Sequence, residues 1–370
     1  MESATATRHP TAQSPRVGDP ATAVTPAALT PERRELYARL DTKNTAPLWE
    51  VLGKIIPFEP TPDIVPVLWK YDDVRPLLME AGRLLTAREA ERRVLVLENP
   101  GLRGQSRITT SLYAGLQLIL PGEIAPAHRH SMAALRFVME GTGAYTAVEG
   151  ERTVMHPGDF ILTPSWTYHD HGNPGGVPVI WLDGLDVPIV NLFDASFRES
   201  YPGDIQPNAV PDGDAHARYA ANMLPIDWTP PRPSSPIFNY PYARSRETLD
   251  ALHRNGPVHP CHGVKMRFIN PASGGSPMPT IGAFMQLLPK GFAGAPYRAT
   301  DSTVFAAVEG SGRTRVGDVT LTWGPRDVFV APSWMRVAHE TDEEAVLFSF
   351  SDRPAQQALG LWREEAPLRG

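Results

Sequence analysis

Apolar and polar residues alternate along much of this chain, in short runs separated by glycine and proline. Residues 111–120 read SLYAGLQLIL. At a period of two, Tyr113, Gly115 and Gln117 share one face, while Leu112, Ala114, Leu116 and Leu118 share the other. This predicts a strand with an apolar face and a face of polar tips. The gap at Gly115 leaves room for a flat ligand if the polar face looks into a barrel. The run VIWLDGLD, residues 179–186, predicts another strand, and Asp183 within it needs a partner if buried.

Helical spacing is confined to a few segments. Thr30-Pro31-Glu32 reads as an N-cap, a first-turn proline and an acidic first turn, followed by Leu36, Tyr37 and Leu40 on one face. Residues 71–85 carry Val74, Leu77, Leu78 and Leu85 at helical spacing. A short helix is expected over 245–254, ended by Asn255-Gly256, and a closing helix over 354–365 with Ala358, Leu361 and Trp362 on one side. Residues 1–29 have little periodicity and predict a mobile tail. The proline cluster of residues 225–241 predicts an arm or linker rather than a core.

Composition narrows the class. A length of 370 residues suggests two domains or one large one, and 42% apolar residues suffice for sizeable cores. With 39 prolines and 30 glycines the chain suits many short strands better than long helices. A net charge of -6 and no basic stripe argue against a nucleic-acid partner. No apolar run is long enough for a membrane helix. The amino terminus lacks a basic segment followed by an apolar core, and the one cysteine, Cys261, rules out an internal disulfide framework. A cytoplasmic location is therefore expected.

Candidate chemistry concentrates in residues 122–173. His128 and His130 stand two apart, so on a strand both point the same way, and His169 arrives from a neighbouring strand after a Gly-Asp turn. Three neutral imidazoles suit iron, zinc, copper or nickel. If the strand continues past His130 without a bulge, Met132, Ala134 and Arg136 share the ligand face. An inward Arg136 requires an anion, from the protein or from a ligand, and its planar fork suits a carboxylate. His171 shares the face of His169 and is expected beside the metal rather than on it; Asp170 has the opposite parity. Of the adjacent Arg92 and Arg93, alternation sends one inward.

These residues resemble the cupin family. Gly122, five residues, His128, one residue, His130 and a later Gly141 match its first signature. Gly158, five residues, Pro164, four residues, His169, three residues and Asn173 match its second. Ala134 falls where the usual glutamate ligand would be, and Trp166 replaces a customary glycine. The resemblance implies three histidine ligands without a carboxylate. The first barrel is also repeated: PKGFAGAPYRATDSTVFAAVEGSG aligns with PGEIAPAHRHSMAALRFVMEGTG, and DVFVAPSW with DFILTPSW. In the repeat Tyr297, Ala299 and Val337 take the places of His128, His130 and His169, Phe305 that of Arg136, and His339 that of His171. The expected fold is all-β, a bicupin of two β-barrel or jelly-roll domains with flanking N- and C-terminal helices and one metal site. The expected boundaries are 1–29 tail, 30–90 helical region, 91–190 metal-bearing cupin, 191–262 arm, 263–352 metal-free cupin and 353–370 C-terminal helix.

The run LYAGLQLILPGEIAPAHRH, with ALRFV, GDFILTP and PVIWLDGLD beyond it, resembles the gentisate 1,2-dioxygenases over about residues 30–365. The resemblance implies Fe(II) on His128, His130 and His169. It also implies a small aromatic hydroxy acid and O2 as substrates, ring opening of gentisate to maleylpyruvate, and a homotetramer. It places Arg92, Tyr113, Gly115 and Arg136 at the substrate, and His171 and Asp183 in proton handling. Met132 stands where relatives often have glutamine. Rival readings are the same reaction on salicylate or 1-hydroxy-2-naphthoate, a non-oxidative metal-dependent cupin such as an isomerase, and a binding protein.

Overall fold

The computed structural model describes residues 29–367, so the expected tail falls almost wholly outside the described residues. The chain divides after Phe58 into two compact units. In the first unit, Thr30 Oγ1 accepts the Arg33 backbone N–H at 3.3 Å and starts the helix Pro31–Asp41. A second helix, Leu48–Ile55, was not expected: eight residues span barely two turns, too few for a 3.6-residue period to stand out. Glu50 accepts from Arg33 at 3.1 Å and from the Tyr37 hydroxyl.

The second unit holds both barrels, each built from antiparallel strands. In the first barrel a six-stranded sheet runs Asn239–Tyr240, Phe160–Thr163, Ala134–Glu140, Val179–Leu185, Tyr113–Ile119, Val94–Val96 in spatial order. Its partner sheet runs Arg198–Ser200, Ile124–His130, His169–Gly172, Tyr145–Val148, Glu151–Val154. The second barrel repeats the plan with a six-stranded sheet and a three-stranded one. One strand of its large sheet, Val67–Trp69, comes from the segment expected to be helical and pairs with Val328–Ala331. Three residues between proline-rich flanks were too short to read as a strand. The helix Tyr71–Leu84 follows it, as the spacing predicts. The helix Tyr242–Asn255 starts three residues before its predicted span and ends at Gly256. The closing helix is shorter than expected: it covers Arg353–Ala358, Gly360 follows at φ +70°, and Trp362 leaves the helix to donate to Asp301 at 2.9 Å.

The two large sheets pack back to back. Leu135, Phe137 and Met139 leave the first barrel on the outer face of their strand and join a core shared with Val304, Ala306, Phe348 and Phe350 of the second. Phe137 and Phe348 stack with ring centroids 4.2 Å apart and planes 6° from parallel. Phe137→Ala is expected to destabilise the protein by about 3–5 kcal/mol, because a fully buried ring leaves a void between two rigid sheets. Chemical denaturation checks it; a loss under about 1 kcal/mol would show that the barrels do not depend on one another there.

The motif glycines mark turns. At Gly141, φ +86°, an added Cβ would stand 2.1 Å from the Pro178 carbonyl oxygen, so only glycine fits. Trp166, in the place of a customary glycine, does sit in the left-handed region at φ +61°, and Trp334 repeats this at φ +62° in the second barrel. Each indole is covered by an arginine: Arg129 lies 4.6 Å from Trp166 and Arg298 4.4 Å from Trp334. Stacking of this kind offsets part of the backbone strain.

The arm after the first barrel is pinned by a buried acid. Glu151 is 5% exposed and accepts the Ala215 backbone N–H at 3.0 and 3.1 Å, at the start of the helix Asp214–Tyr219. Burial, with Asp214 and Asp212 nearby, pushes its carboxyl up to about 7. The folded state therefore holds this proton more tightly than the unfolded chain. Its stabilising effect is full below the unfolded value and is lost as pH rises through about 7. Glu151→Gln is expected to flatten the decline in melting temperature between about pH 5 and about pH 8. An unchanged slope would show that Glu151 is ionised throughout.

Candidate metal centre and adjoining pocket

His128 and His130 come from the strand Ile124–His130, and His169 from its neighbour His169–Gly172. His128 and His169 are direct cross-strand partners, and a bulge between Ala125 and His128 sets that register. One ring nitrogen from each of the three lies within 4.8 Å of the other two. Ring centroids are 4.6 Å apart for His128–His169, 4.8 Å for His130–His169 and 5.4 Å for His128–His130.

The outer nitrogens fix the tautomers. Nδ1 of His130 faces the Met132 carbonyl at 2.9 Å, and Nδ1 of His169 faces the Thr167 carbonyl at 3.0 Å. A proton on each Nδ1 leaves the Nε2 lone pair for a metal. Burial pushes His128 down to about 3, His130 to about 4 and His169 well below its ordinary value, so all three are neutral at pH 7 without competition from protons. Converging neutral imidazoles with preset tautomers fit a divalent transition metal. Ala134 begins the strand Ala134–Glu140 and offers no ligand.

His128 differs from the other two. Its Nδ1 lies 3.3 Å from the Pro126 carbonyl and 2.8 Å from Arg92 Nη2, which also donates to Pro126 O at 2.8 Å. A guanidinium only donates, so the Arg92 contact favours the proton on Nε2, the opposite of what ligation needs.

One expectation about Arg136 needs correction, although its direction holds. The ligand strand does not continue past His130. The chain turns at residues 131–133, where the Ala133 N–H is held by Asp186 Oδ1 at 2.9 Å, and enters the other sheet. Arg136 faces into the barrel because Ala134 and Arg136 start the new strand in phase. It is 4% exposed. Its direct partner across the sheet is Asp183, whose partner on the other side is Gly115. Gly115, Asp183 and Arg136 thus form one inward row on three adjacent strands.

Within that row the charges are loosely paired. Arg136 Nε stands 3.7 Å from Asp183 Oδ1 and makes no hydrogen bond, while Nη1 donates to Thr163 Oγ1 at 2.5 Å. Asp183 Oδ1 instead accepts the Trp181 indole N–H at 2.9 Å. Burial pushes the Asp183 carboxyl up to about 6, against the pull of Arg136 and Trp181. Tyr113 is pushed up by burial and by Asp183. Burial and Arg136 push Arg92 down to about 9, still protonated at neutral pH. Two guanidiniums thus face one carboxylate beside the imidazoles.

His171 is fully buried and neutral. Its Nδ1 lies 3.0 Å from Thr146 Oγ1, its Nε2 has no partner, and its ring is 5.9 Å from His169 and 5.4 Å from Trp181. Asp170 points the other way and receives two hydrogen bonds from Gln206. Arg93 pairs with Glu123 through two 2.8 Å contacts. The structure thus gathers His128, His130, His169, His171, Arg92, Gly115, Arg136 and Asp183 in one barrel, with Tyr113 on the strand of Gly115. Sequence reading missed Trp181, Thr163 and Thr146. Trp181 shares strand parity with Asp183, and that parity was the available signal. Nothing local marks the two threonines.

In the second barrel the pairing of Tyr297 with Val337 reproduces that of His128 with His169. Phe284, Ser349 and Phe305 form the row that Gly115, Asp183 and Arg136 form in the first. Phe284 stands at the register position of Gly115, where the first barrel has no side chain.

Among known proteins, residues 115–186 match the family model described as a cupin domain. The chain is 58% identical over 337 residues to a gentisate 1,2-dioxygenase of Aquipseudomonas alcaligenes, covering 91% of this chain and 97% of that protein. It is 38% identical to a 5-aminosalicylate 1,2-dioxygenase of a Comamonas species, over 90% of this chain and 89% of that one. The fold superposes on a salicylate 1,2-dioxygenase of Pseudoaminobacter salicylatoxidans solved with gentisate, with a TM-score of 0.88, 34% identity and coverage of 94% and 97%. The motifs, the paired barrels and these likenesses agree: this chain belongs to the gentisate 1,2-dioxygenase family of ring-cleaving bicupins.

Proposed function

We propose that the chain is an Fe(II)-dependent extradiol-type dioxygenase that opens gentisate, 2,5-dihydroxybenzoate, with O2 to give maleylpyruvate. The observation that carries this reading is the charge imbalance beside the three imidazoles: Arg92 and Arg136 against Asp183 alone. Such a site favours an anionic aromatic acid. The relatives that act on gentisate and on aminosalicylate support it. His128, His130 and His169 would hold the iron, which when bound supplies the redox chemistry with O2 at its open positions.

The remaining steps belong to the chain. Arg136 binds the substrate carboxylate through Nε, which has no partner of its own. Arg92 adds a second N–H. Trp181 holds Oδ1 of Asp183 and leaves Oδ2 to accept the proton of the 5-hydroxyl of gentisate. A carboxyl raised to about 6 is ionised at neutral pH and remains a useful proton acceptor. Nε2 of His171 is the alternative acceptor. The room expected at Gly115 is taken up by Val94, whose Cγ1 would stand 2.4 Å from an added Cβ, so the glycine lets the neighbouring strand close over this wall. Tyr113 borders the same wall.

The test is O2 uptake by protein loaded anaerobically with Fe(II). One O2 per gentisate, with a ring-opened chromophore carrying both atoms of labelled O2, is the expected result. Uptake only with salicylate or 1-hydroxy-2-naphthoate would move the substrate. No uptake on iron-loaded protein would favour a non-oxidative cupin or a binding protein.

A homotetramer in the cytoplasm completes the proposal. The helix Leu48–Ile55 supports assembly: Leu48, Trp49, Leu52 and Ile55 are 46–61% exposed on it, an apolar face that water disfavours. No helix among the described residues is long and apolar enough to cross a membrane.

A further inference from the structure

A cavity of about 540 Å³ lies outside both barrels, a volume within the range of about 300–1,000 Å³ typical of small-molecule sites. It forms where the two large sheets run out. Asn239–Tyr240 is the last strand of one sheet, and Val264–Arg267 is the last strand of the other. The Tyr240 hydroxyl donates to the Ile269 carbonyl at 2.8 Å and ties the two edges together. The helix Tyr242–Asn255 supplies a third wall, with Arg244, Ser245, Thr248 and Leu249 on one face at helical spacing. The walls are therefore rigid elements already held in place.

The floor is apolar. Ile237, Leu249 and Met285 are buried in it. Met266 is the direct cross-strand partner of Met285, and the rings of Tyr240 and Phe268 stand beside it, 5.4 Å apart and 70° from parallel. Thioethers and angled rings pack well against a flat aromatic body.

The charged groups at the border have one sign. No aspartate or glutamate lines the cavity, whereas Arg244, Arg267 and His216 do. Among the described residues the guanidinium of Arg244 has no ion pair and no hydrogen bond. Arg246, on the same helix, shows the contrast, since Asp250, Glu309 and Glu344 all pair with it. Arg267 makes one contact, at 3.4 Å to the Gly274 carbonyl, and no ion pair. Burial and Arg244 push His216 below its ordinary value, the direction expected in a positive local field.

We propose that this cavity is a second ligand site, for an organic anion with a bicyclic aromatic body, its acid group on Arg244 and its rings against Tyr240, Phe268 and Met266. Unpaired positive charge without a bordering carboxylate selects an anion over an amine. The volume exceeds what a single ring fills. The site shares no residue with the metal centre and is independent of the reaction proposed there.

The probe is 8-anilinonaphthalene-1-sulfonate, which fluoresces in apolar surroundings, with the uncharged N-phenyl-1-naphthylamine as control. The full-length protein should bind the sulfonate more tightly than the uncharged compound, and gentisate should not displace it. Arg244→Met should weaken the sulfonate about 10-fold and leave the uncharged compound unchanged. Thr248→Trp, which fills the cavity from the exposed side of the helix, should abolish binding of both. Displacement by gentisate, an unchanged sulfonate affinity in Arg244→Met, or undiminished binding in Thr248→Trp would each overturn the proposal. So would a smaller assembly for Thr248→Trp in light scattering, which would mean that a second copy of the chain fills the cavity. If either variant folds poorly, a crystal structure of the wild type with the sulfonate decides: density against Arg244 and Tyr240 is expected, and sulfonate ordered only elsewhere refutes the site.

Discussion

His169→Ala is expected to empty the metal centre and abolish turnover. His169 is the one proposed ligand from its strand, 1% exposed, with its ring 4.6 and 4.8 Å from the other two imidazoles. Removing it leaves two imidazoles from a single strand, and the alanine exposes the Thr167 carbonyl that had fixed the ring. Loss of a supporting hydrogen bond alone costs about 10–100-fold in metal affinity, and loss of a ligand exceeds that. Metal analysis after anaerobic Fe(II) loading and desalting is the direct measurement, with wild-type protein retaining about one iron per chain as the reference. Stoichiometric iron in the variant would mean that the ligand set is wrong. Circular dichroism should be unchanged, because the residue occupies the inner face of a strand whose backbone ladder remains intact.

Arg136→Met should separate substrate binding from metal binding. The guanidinium lies in the same inward row as Asp183 and Gly115, on the sheet opposite the ligands. A charge-assisted, largely buried contact to a carboxylate is worth about 2–5 kcal/mol when one partner is cut away, so an increase in KM of about 100-fold is expected. Iron content should stay at the wild-type level. Two effects combine in this variant, because Asp183 also loses its nearest cation and its carboxyl, already raised to about 6, should rise further. The double variant Arg136→Met with Asp183→Asn distinguishes them. If substrate affinity returns with Asp183 neutralised, the arginine acts mainly on Asp183; if affinity stays low, it acts on the substrate. An unchanged KM in the single variant would show that the carboxylate binds elsewhere.

Much of this site was legible in the sequence because its decisive spacings are local. His128 and His130 share a face through the two-residue period of any strand, and Gly122, Gly141 and Gly158 mark turns that require positive φ. The repeat was legible too: Tyr297, Ala299 and Val337 fall where the ligands would be, and the paired strands bear this out. Other features were misread for reasons of length. Eight residues at Leu48–Ile55 and three at Val67–Trp69 carry too little periodicity to identify, and the closing helix stops at Ala358 because Gly360 takes a left-handed conformation.

The inward direction of Arg136 was expected from a strand continuing past His130, and the structure reaches it another way, through a turn held by Asp186. A side chain 53 residues further along the chain makes that turn, and no local pattern announces it. The same holds for the pairing of Arg136 with Asp183, the indole of Trp181 that draws Asp183 away from it, and the contact of Arg92 with His128. By itself the sequence determined the three converging imidazoles, the two barrels and the replacement of those imidazoles in the second, since each follows from backbone period or from internal repetition. Only the tertiary structure decided how the charges balance. Counter-ions and tautomers depend on which strands lie side by side and in what register, and that register comes from packing across the whole sheet.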